Sequence, residues 1–141
     1  MIMHVTNKKP NQKLIQTLYE KSKNKLYYLA FDILQDENAT EDAVCNCFIR
    51  LLEIYDLYSY TSYQQLERLA ALLVRHLAYS MPEAQINSQD FCESGGIYRA
   101  ELPLLALYYV YKLTPAEIGK LTGTSPALIR KKILSAQNRL F

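Results

Sequence analysis

The chain has 141 residues, half of them hydrophobic, and a formal net charge of +2. This length suits one domain of ordinary size or two very small ones. No stretch approaches the roughly twenty apolar residues that span a bilayer, so a membrane-spanning protein is excluded at this stage. Scarce glycine and proline, with abundant leucine and lysine, predict a mostly helical protein.

Cysteine usage and the N-terminal segment favour a cytoplasmic protein. An odd number of cysteines, three, gives no closed disulfide framework. The segment MIMHVTNKKPNQK has no apolar signal core. Cys45 and Cys47 lie two positions apart on a predicted helix and point to nearly opposite sides, which disfavours a shared metal ion. We therefore expect neither a metal nor a cofactor.

Successive segments of the chain differ in charge. Residues 1–30 carry six lysines against one acid, residues 31–60 carry seven acids against one arginine, and residues 114–141 carry five cations against one glutamate. This order suggests surfaces with different partners, although solvated helix faces would give the same pattern.

Three helices are predicted in the first half of the chain. Residues 11–35 carry apolar side chains at helical spacing, with lysines between them. A second helix is expected to begin at Thr40 as N-cap, with Glu41 and Asp42 at the positive end of its dipole. The stretch LYSYTSYQQ is expected to form a loop. The third helix, LERLAALLVRHLAYS, is apolar nearly all round and is therefore expected to be central to the packing.

A loop-forming segment separates this half from the tail. Residues 82–97 are rich in proline, asparagine, serine and glycine, which favour loop over helix. We therefore predict an all-α fold of two small helical modules, residues 1–81 and 98–141, joined by a linker over 82–97. A flexible linker of this length allows both closed and open arrangements of the modules.

The tail is predicted to contain an apolar helix, LPLLALYYVYKL, followed by a helix-turn-helix. In TPAEIGKLTGTSPALIRKKILSAQNRL, Thr114 is the expected N-cap and Glu117 its capping-box partner. Gly123 is expected as the left-handed residue of the turn, and Ser125 as the cap of the last helix.

The last predicted helix separates its packing face from its cations. Its apolar stripe is Ile129, Ile133, Ala136 and Leu140. Arg130 and Lys131 fall off that stripe, and this is the layout of a helix that docks on two others and presents polar side chains to a DNA groove. The alternative is a helical hairpin whose basic face is merely solvated. Leu128 stands where a polar DNA-facing side chain would be expected.

These motifs together resemble the small, two-domain sigma factors of bacterial RNA polymerase, the extracytoplasmic-function type. The tail is similar to region 4 of that family at Glu117–Ile118–Gly119, Gly123, Ile129–Arg130, Ala136 and Leu140. The front half, with LYEKSKNKLYYLAFDILQDENATEDAV, EDAVCNCFIRLLE and LLVRHLAYS, is similar to region 2. The resemblance covers residues 14–81 and 99–141.

The resemblance implies a transcription initiation factor without catalytic chemistry of its own. Its partners would be core RNA polymerase and promoter DNA, with an anti-sigma protein as a further candidate. The positions that would bind polymerase are Glu41, Asp42, Asn46, Arg50 and Glu53. Those that would bind duplex DNA are Ser125, Arg130, Lys131, Lys132 and Arg139. Arg130 and Lys131 are the candidates for base edges, and the others for phosphates.

A melted strand would lie across the tyrosine-rich loop and the third helix. Unpaired bases bind by stacking on aromatic rings and by attraction of the backbone to cations. The candidates are Tyr58, Tyr60, Tyr63, Arg68, Arg75 and His76. Tyrosines between helices can equally serve as packing groups, so both roles stay open for them.

The sequence departs from the sigma pattern at several positions. Cys45 and Asn46 replace a glutamine and an acid, and His76 and Ser80 replace the asparagine and aspartate of the region 2 ending. A basic run is missing after Ser80, and Leu128 stands in place of threonine. These differences imply either a diverged factor with an impaired strand-melting half or a sigma-like regulator that no longer initiates transcription.

Two other classes of protein fit the sequence. One is a helix-turn-helix regulator that is not a sigma factor, whose front half dimerises or senses a ligand. The other is an interaction protein that binds polymerase without touching DNA. An enzyme is not expected, because we find no phosphate loop, nucleophile–base pair or metal-ligand spacing.

Overall fold

A computed structural model describes residues 10–53, 62–85, 91–92 and 97–140, with side chains over 13–53, 62–85 and 98–139. Its helices are α1 (Pro10–Leu34), α2 (Glu37–Glu53), α3 (Tyr63–Tyr79), α4 (Leu102–Tyr109), α5 (Pro115–Thr122) and α6 (Pro126–Leu140). Strands β1 (Phe91–Cys92) and β2 (Ile97–Tyr98) pair antiparallel, with Phe91 opposite Tyr98 and Cys92 opposite Ile97. A 3₁₀ turn at Arg99–Glu101 leads into α4. The predicted all-α class is confirmed.

Helix α2 begins earlier than predicted, and the assignment of Thr40 as N-cap was wrong. Gln35 adopts a positive φ of 53°, which ends α1 and turns the chain directly into α2. The Ala39 N–H donates to Asp36 Oδ2 at 2.7 Å, so Asp36 supplies the cap. Thr40 is fully buried one turn later and donates its hydroxyl to the Asp36 carbonyl at 2.6 Å. Two good capping residues stand four positions apart, and the tight turn at Gln35 selects the first.

Helix α3 also begins before the predicted position, at the end of the tyrosine-rich stretch. The Gln65 N–H donates to Ser62 Oγ and the Ser62 N–H donates to Gln65 Oε1, both at 3.3 Å. This capping box draws Tyr63, Gln64 and Gln65 into the helix. Helix α4 is shorter than LPLLALYYVYKL, because the chain leaves the helix after Tyr109 and Lys112 has a φ of 60°.

Helix α3 is central to the packing, as predicted. Leu69, Ala70, Leu73 and Val74 are completely buried on it. Helices α1, α2, α4 and α5 all pack against α3. The resulting cluster of buried side chains runs without a break from Ile15 and Leu18 to Ile129 and Ile133.

In the structure the tail helices pack against the front half, which is the closed one of the two arrangements that the sequence allows. Helices α4 and α5 lie directly against α3, and α5 also contacts α2. The predicted linker lies partly outside the described residues, at 86–90 and 93–96. The division into two modules therefore stays a prediction. In the part of the chain that the structure describes, no helix combines the length and apolar character needed to cross a membrane.

Candidate nucleic-acid and polymerase interfaces

Helices α5 and α6 form the predicted helix-turn-helix, and its caps are confirmed. The Thr114 N–H donates to Glu117 Oε1 at 2.9 Å, and the Glu117 N–H donates to Thr114 Oγ1 at 3.1 Å. Gly123 has a φ of 74°, and its N–H donates to the Gly119 carbonyl at 2.8 Å. The Leu128 N–H then donates to Ser125 Oγ at 3.3 Å, which caps α6.

Gly119 brings the turn close to α5. A Cβ added at this glycine would lie 2.6 Å from the Thr124 carbonyl oxygen. The absence of a side chain therefore allows the chain to fold back at once, and α6 starts directly beside α5.

The outward face of α6 carries Arg130 and Lys131. Both are exposed, whereas Ile129, Ile133 and Ala136 on the opposite side are buried, as predicted. Within the described part of the chain, neither cation forms an ion pair. Arg130 and Lys131 lie in the N-terminal half of α6, which the exposed cap residue Ser125 precedes. In a recognition helix this is the part that reaches base edges.

The other two candidate DNA contacts, Lys132 and Arg139, point toward the rest of the protein. Arg139 forms an ion pair with Glu101, donates to Ser135 Oγ at 3.1 Å and lies 5.4 Å from the ring centre of Tyr98. Lys132 is exposed but lines a cavity against α3. The structure therefore divides the five predicted residues into an outward group and an inward pair.

Only part of the predicted melted-strand surface can be placed. Tyr58 and Tyr60 lie outside the described residues. Arg68 and Arg75 are both exposed on α3, seven positions apart, so they share one face of the helix. Arg75 lines an open groove of about 440 Å³ together with Asp32 and Arg99.

Tyr63 is engaged in packing between α1 and α3. Its hydroxyl lies 2.7 Å from that of Ser22, which is buried and donates to Glu67 Oε2 at 2.6 Å. The ammonium of Lys21 lies 5.7 Å from the Tyr63 ring centre. The hydrogen bond from Ser22 also lowers the pKa of Glu67, helped by Lys25 at 3.7 Å. These contacts favour the packing role that the sequence left open.

His76 is buried, which the sequence did not indicate. It is 5% exposed on the side of α3 that faces α4 and α6. Burial, with the charge of Lys132 as a smaller cause, lowers the pKa of the imidazole to about 4. A direct contact between His76 and nucleic acid would require α6 to move away.

The candidate polymerase surface on α2 is mostly open. Glu41, Asp42 and Glu53 are exposed, and Asn46 is half-buried. Arg50 differs, because it faces the helix-turn-helix: a Cβ added at Gly123 would lie 2.5 Å from its Nη2.

Arg50 also pairs with a residue of its own helix. Its Nη1 lies 3.4 Å from Glu53 Oε2. Its Nε is buried and has no hydrogen-bond partner among the described residues. The turn of the helix-turn-helix therefore covers one end of the surface that the sequence assigns to polymerase.

Sequence reasoning missed an apolar groove beside that surface. The groove lies between α1 and α2, measures about 460 Å³ and is lined by Tyr19, Val44, Cys45, Phe48, Ile49 and Leu52 among others. Two of the lining side chains, Ile49 and Leu52, are each 45% exposed. The apolar residues of α2 lie on more than one face of the helix. Apolar residues outside the core-facing side are the signal in the sequence that could have revealed the groove.

Comparison of the chain with models of known protein families, with curated proteins and with solved structures gave no match.

Proposed function

We propose that the chain is a sigma-like transcription initiation factor that binds core RNA polymerase and directs it to promoters through α5 and α6. The observation that carries the proposal is the face of α6 formed by Arg130 and Lys131. It is exposed, cationic and opposite the buried stripe of a capped helix-turn-helix. Such a helix can enter the major groove while its other face stays packed.

Different surfaces of the chain would bind DNA and polymerase. On α6, Lys131 and Arg130 would contact base edges or adjacent phosphates, and Ser125 would hold a phosphate near the start of the helix. On α2, the acidic side chains of Glu41, Asp42 and Glu53 would meet a basic surface of polymerase. The exposed apolar side chains of Ile49 and Leu52 lie beside them and would add buried area to that contact.

A second candidate function has support in the closed arrangement. A helix-turn-helix regulator that is not a sigma factor would have a front half that senses a ligand. The continuous buried cluster and the cavity between α3 and α6 favour such a coupling between the two halves.

Binding to duplex DNA tests the property that both candidate functions share, which is DNA recognition through α6. We expect Arg130→Ala with Lys131→Ala to weaken duplex affinity and to reduce the slope of log affinity against log salt by about one per lost phosphate contact. The matched control is Lys112→Ala with Lys120→Ala, which removes two exposed cations away from the outward face of α6. We expect the control to bind like the unmodified chain. Equal behaviour of the two double variants would instead favour the interaction protein that does not contact DNA.

A further inference from the structure

A cavity of about 320 Å³ lies where α3, the start of α4 and α6 meet. His76 and Ser80 line it from α3, Leu104 and Leu105 from α4, and Lys132 from α6, with Glu101 at its edge. This volume is at the lower end of the range for small-molecule sites.

The His76 side chain lines this cavity from α3. It is 5% exposed, and its imidazole makes no hydrogen bond to any residue that the structure describes. The ring nitrogens are open to the cavity, where a ligand can bond to them. The neutral ring, which burial favours by lowering its pKa to about 4, presents one N–H donor.

The charges around the cavity favour an anion. Glu101 is already neutralised, because it forms an ion pair with Arg139 and accepts from the Tyr98 N–H at 2.9 Å. Lys132 makes no ion pair within the described residues and therefore leaves a net positive charge beside His76.

We propose that this cavity binds a small monocarboxylic acid with an apolar body. The carboxylate would accept from the His76 N–H and pair with the Lys132 ammonium, and the apolar part would lie against Leu104 and Leu105. A charge-assisted pair with a second hydrogen bond gives orientation, and the leucines give affinity.

The ligand would couple the two halves of the chain. The walls of the cavity come from both α3 and α6. A bound ligand would therefore stabilise the packing of the helix-turn-helix against the front half. The binding step does not depend on the proposed function, since it can be measured on the full chain alone, without DNA or polymerase.

Thermal unfolding of the full chain with benzoate and with isovalerate tests the proposal. Benzamide has the shape of benzoate without its charge, and inorganic phosphate has the charge without an apolar body. We expect at least one of the two carboxylates to raise the unfolding midpoint and to shift the imidazole NMR signals of His76. Benzamide and phosphate should do neither.

Two variants locate the site. Lys132→Gln should weaken binding of the active carboxylate about tenfold or more, since it removes a charge-assisted partner. Lys120→Gln, an exposed lysine on α5 away from the cavity, should bind like the unmodified chain. The proposal fails if neither carboxylate has an effect at millimolar concentration, if phosphate reproduces the effect, or if Lys132→Gln retains it.

Discussion

At the scale of single residues, burial assigns roles that residue type alone does not. His76 and Lys132 are both predicted to contact nucleic acid, and the structure places them on the wall of one cavity although they are 56 positions apart in the chain. Tyr63 was expected in a loop, and it packs against Ser22 from the first turn of α3. In each case the partner lies on a distant helix, so the decisive contact is invisible to local patterns.

The burial of His76 predicts an acid-sensitive stability. Its pKa is lowered from 6.5 to about 4 in the folded chain, so folding is favoured by the neutral ring. This contribution is complete above the unfolded pKa and is lost as the pH falls from 6.5 toward 4. The groups that face the ring are Lys132 on α6, Glu101 before α4 and Tyr79 on α3.

We expect the free energy of unfolding, measured with urea, to fall on the order of 1–2 kcal/mol between pH 7 and pH 5. His76→Gln should reduce that fall. Glu67, whose pKa is lowered from 4.5, loses its contribution at lower pH and so does not interfere in this window. An equal pH dependence in the variant would mean that His76 is not buried as described.

At the scale of elements, the helix-turn-helix was predictable because its signals are local. Thr114, Glu117, Gly123 and Ser125 each act on backbone groups within four positions, and each takes its expected role. The start of α2 was not predictable in the same way. Both Asp36 and Thr40 are good caps, and only the positive φ of Gln35 decides between them.

The contact of Gly123 with Arg50 links α2 to the turn and can be measured. Gly123→Ala should destabilise the chain by about 1–2 kcal/mol from the left-handed backbone alone. The added methyl group also meets the Arg50 guanidinium, 2.5 Å away at Nη2, and this adds to the loss.

A double-mutant cycle separates the backbone strain at position 123 from the contact with Arg50. In an Arg50→Ala background, Gly123→Ala should cost less, since only the backbone strain remains. Urea unfolding of the four chains gives the coupling energy. A coupling near zero would mean that α2 and the turn are not in contact in solution.

At the scale of the whole molecule, composition and helix patterns predict the all-α class but not how the halves meet. The predicted linker over 82–97 would allow open and closed arrangements, so long-range packing decides between them. Leu107 on α4, Ile118 on α5 and Ile129 on α6 are fully buried in the same cluster as Leu73 on α3. No periodicity within one helix specifies which distant helix covers its apolar face.

A shared core predicts one cooperative unfolding transition. Leu107→Ala should lower stability by about 2–5 kcal/mol, since it removes buried methyl groups and leaves a cavity. The loss should be the same whether unfolding is followed by circular dichroism or by the NMR signal of His76 on α3. Two separate transitions, with α3 unaffected, would mean that the halves fold independently.

Run-off transcription with core RNA polymerase on random promoter-length fragments tests the proposed function most directly. We expect the full chain to give transcripts from a subset of fragments, and Arg130→Ala with Lys131→Ala to abolish them. The absence of chain-dependent transcripts, together with no retention of the chain on immobilised core enzyme, would contradict a role in initiation.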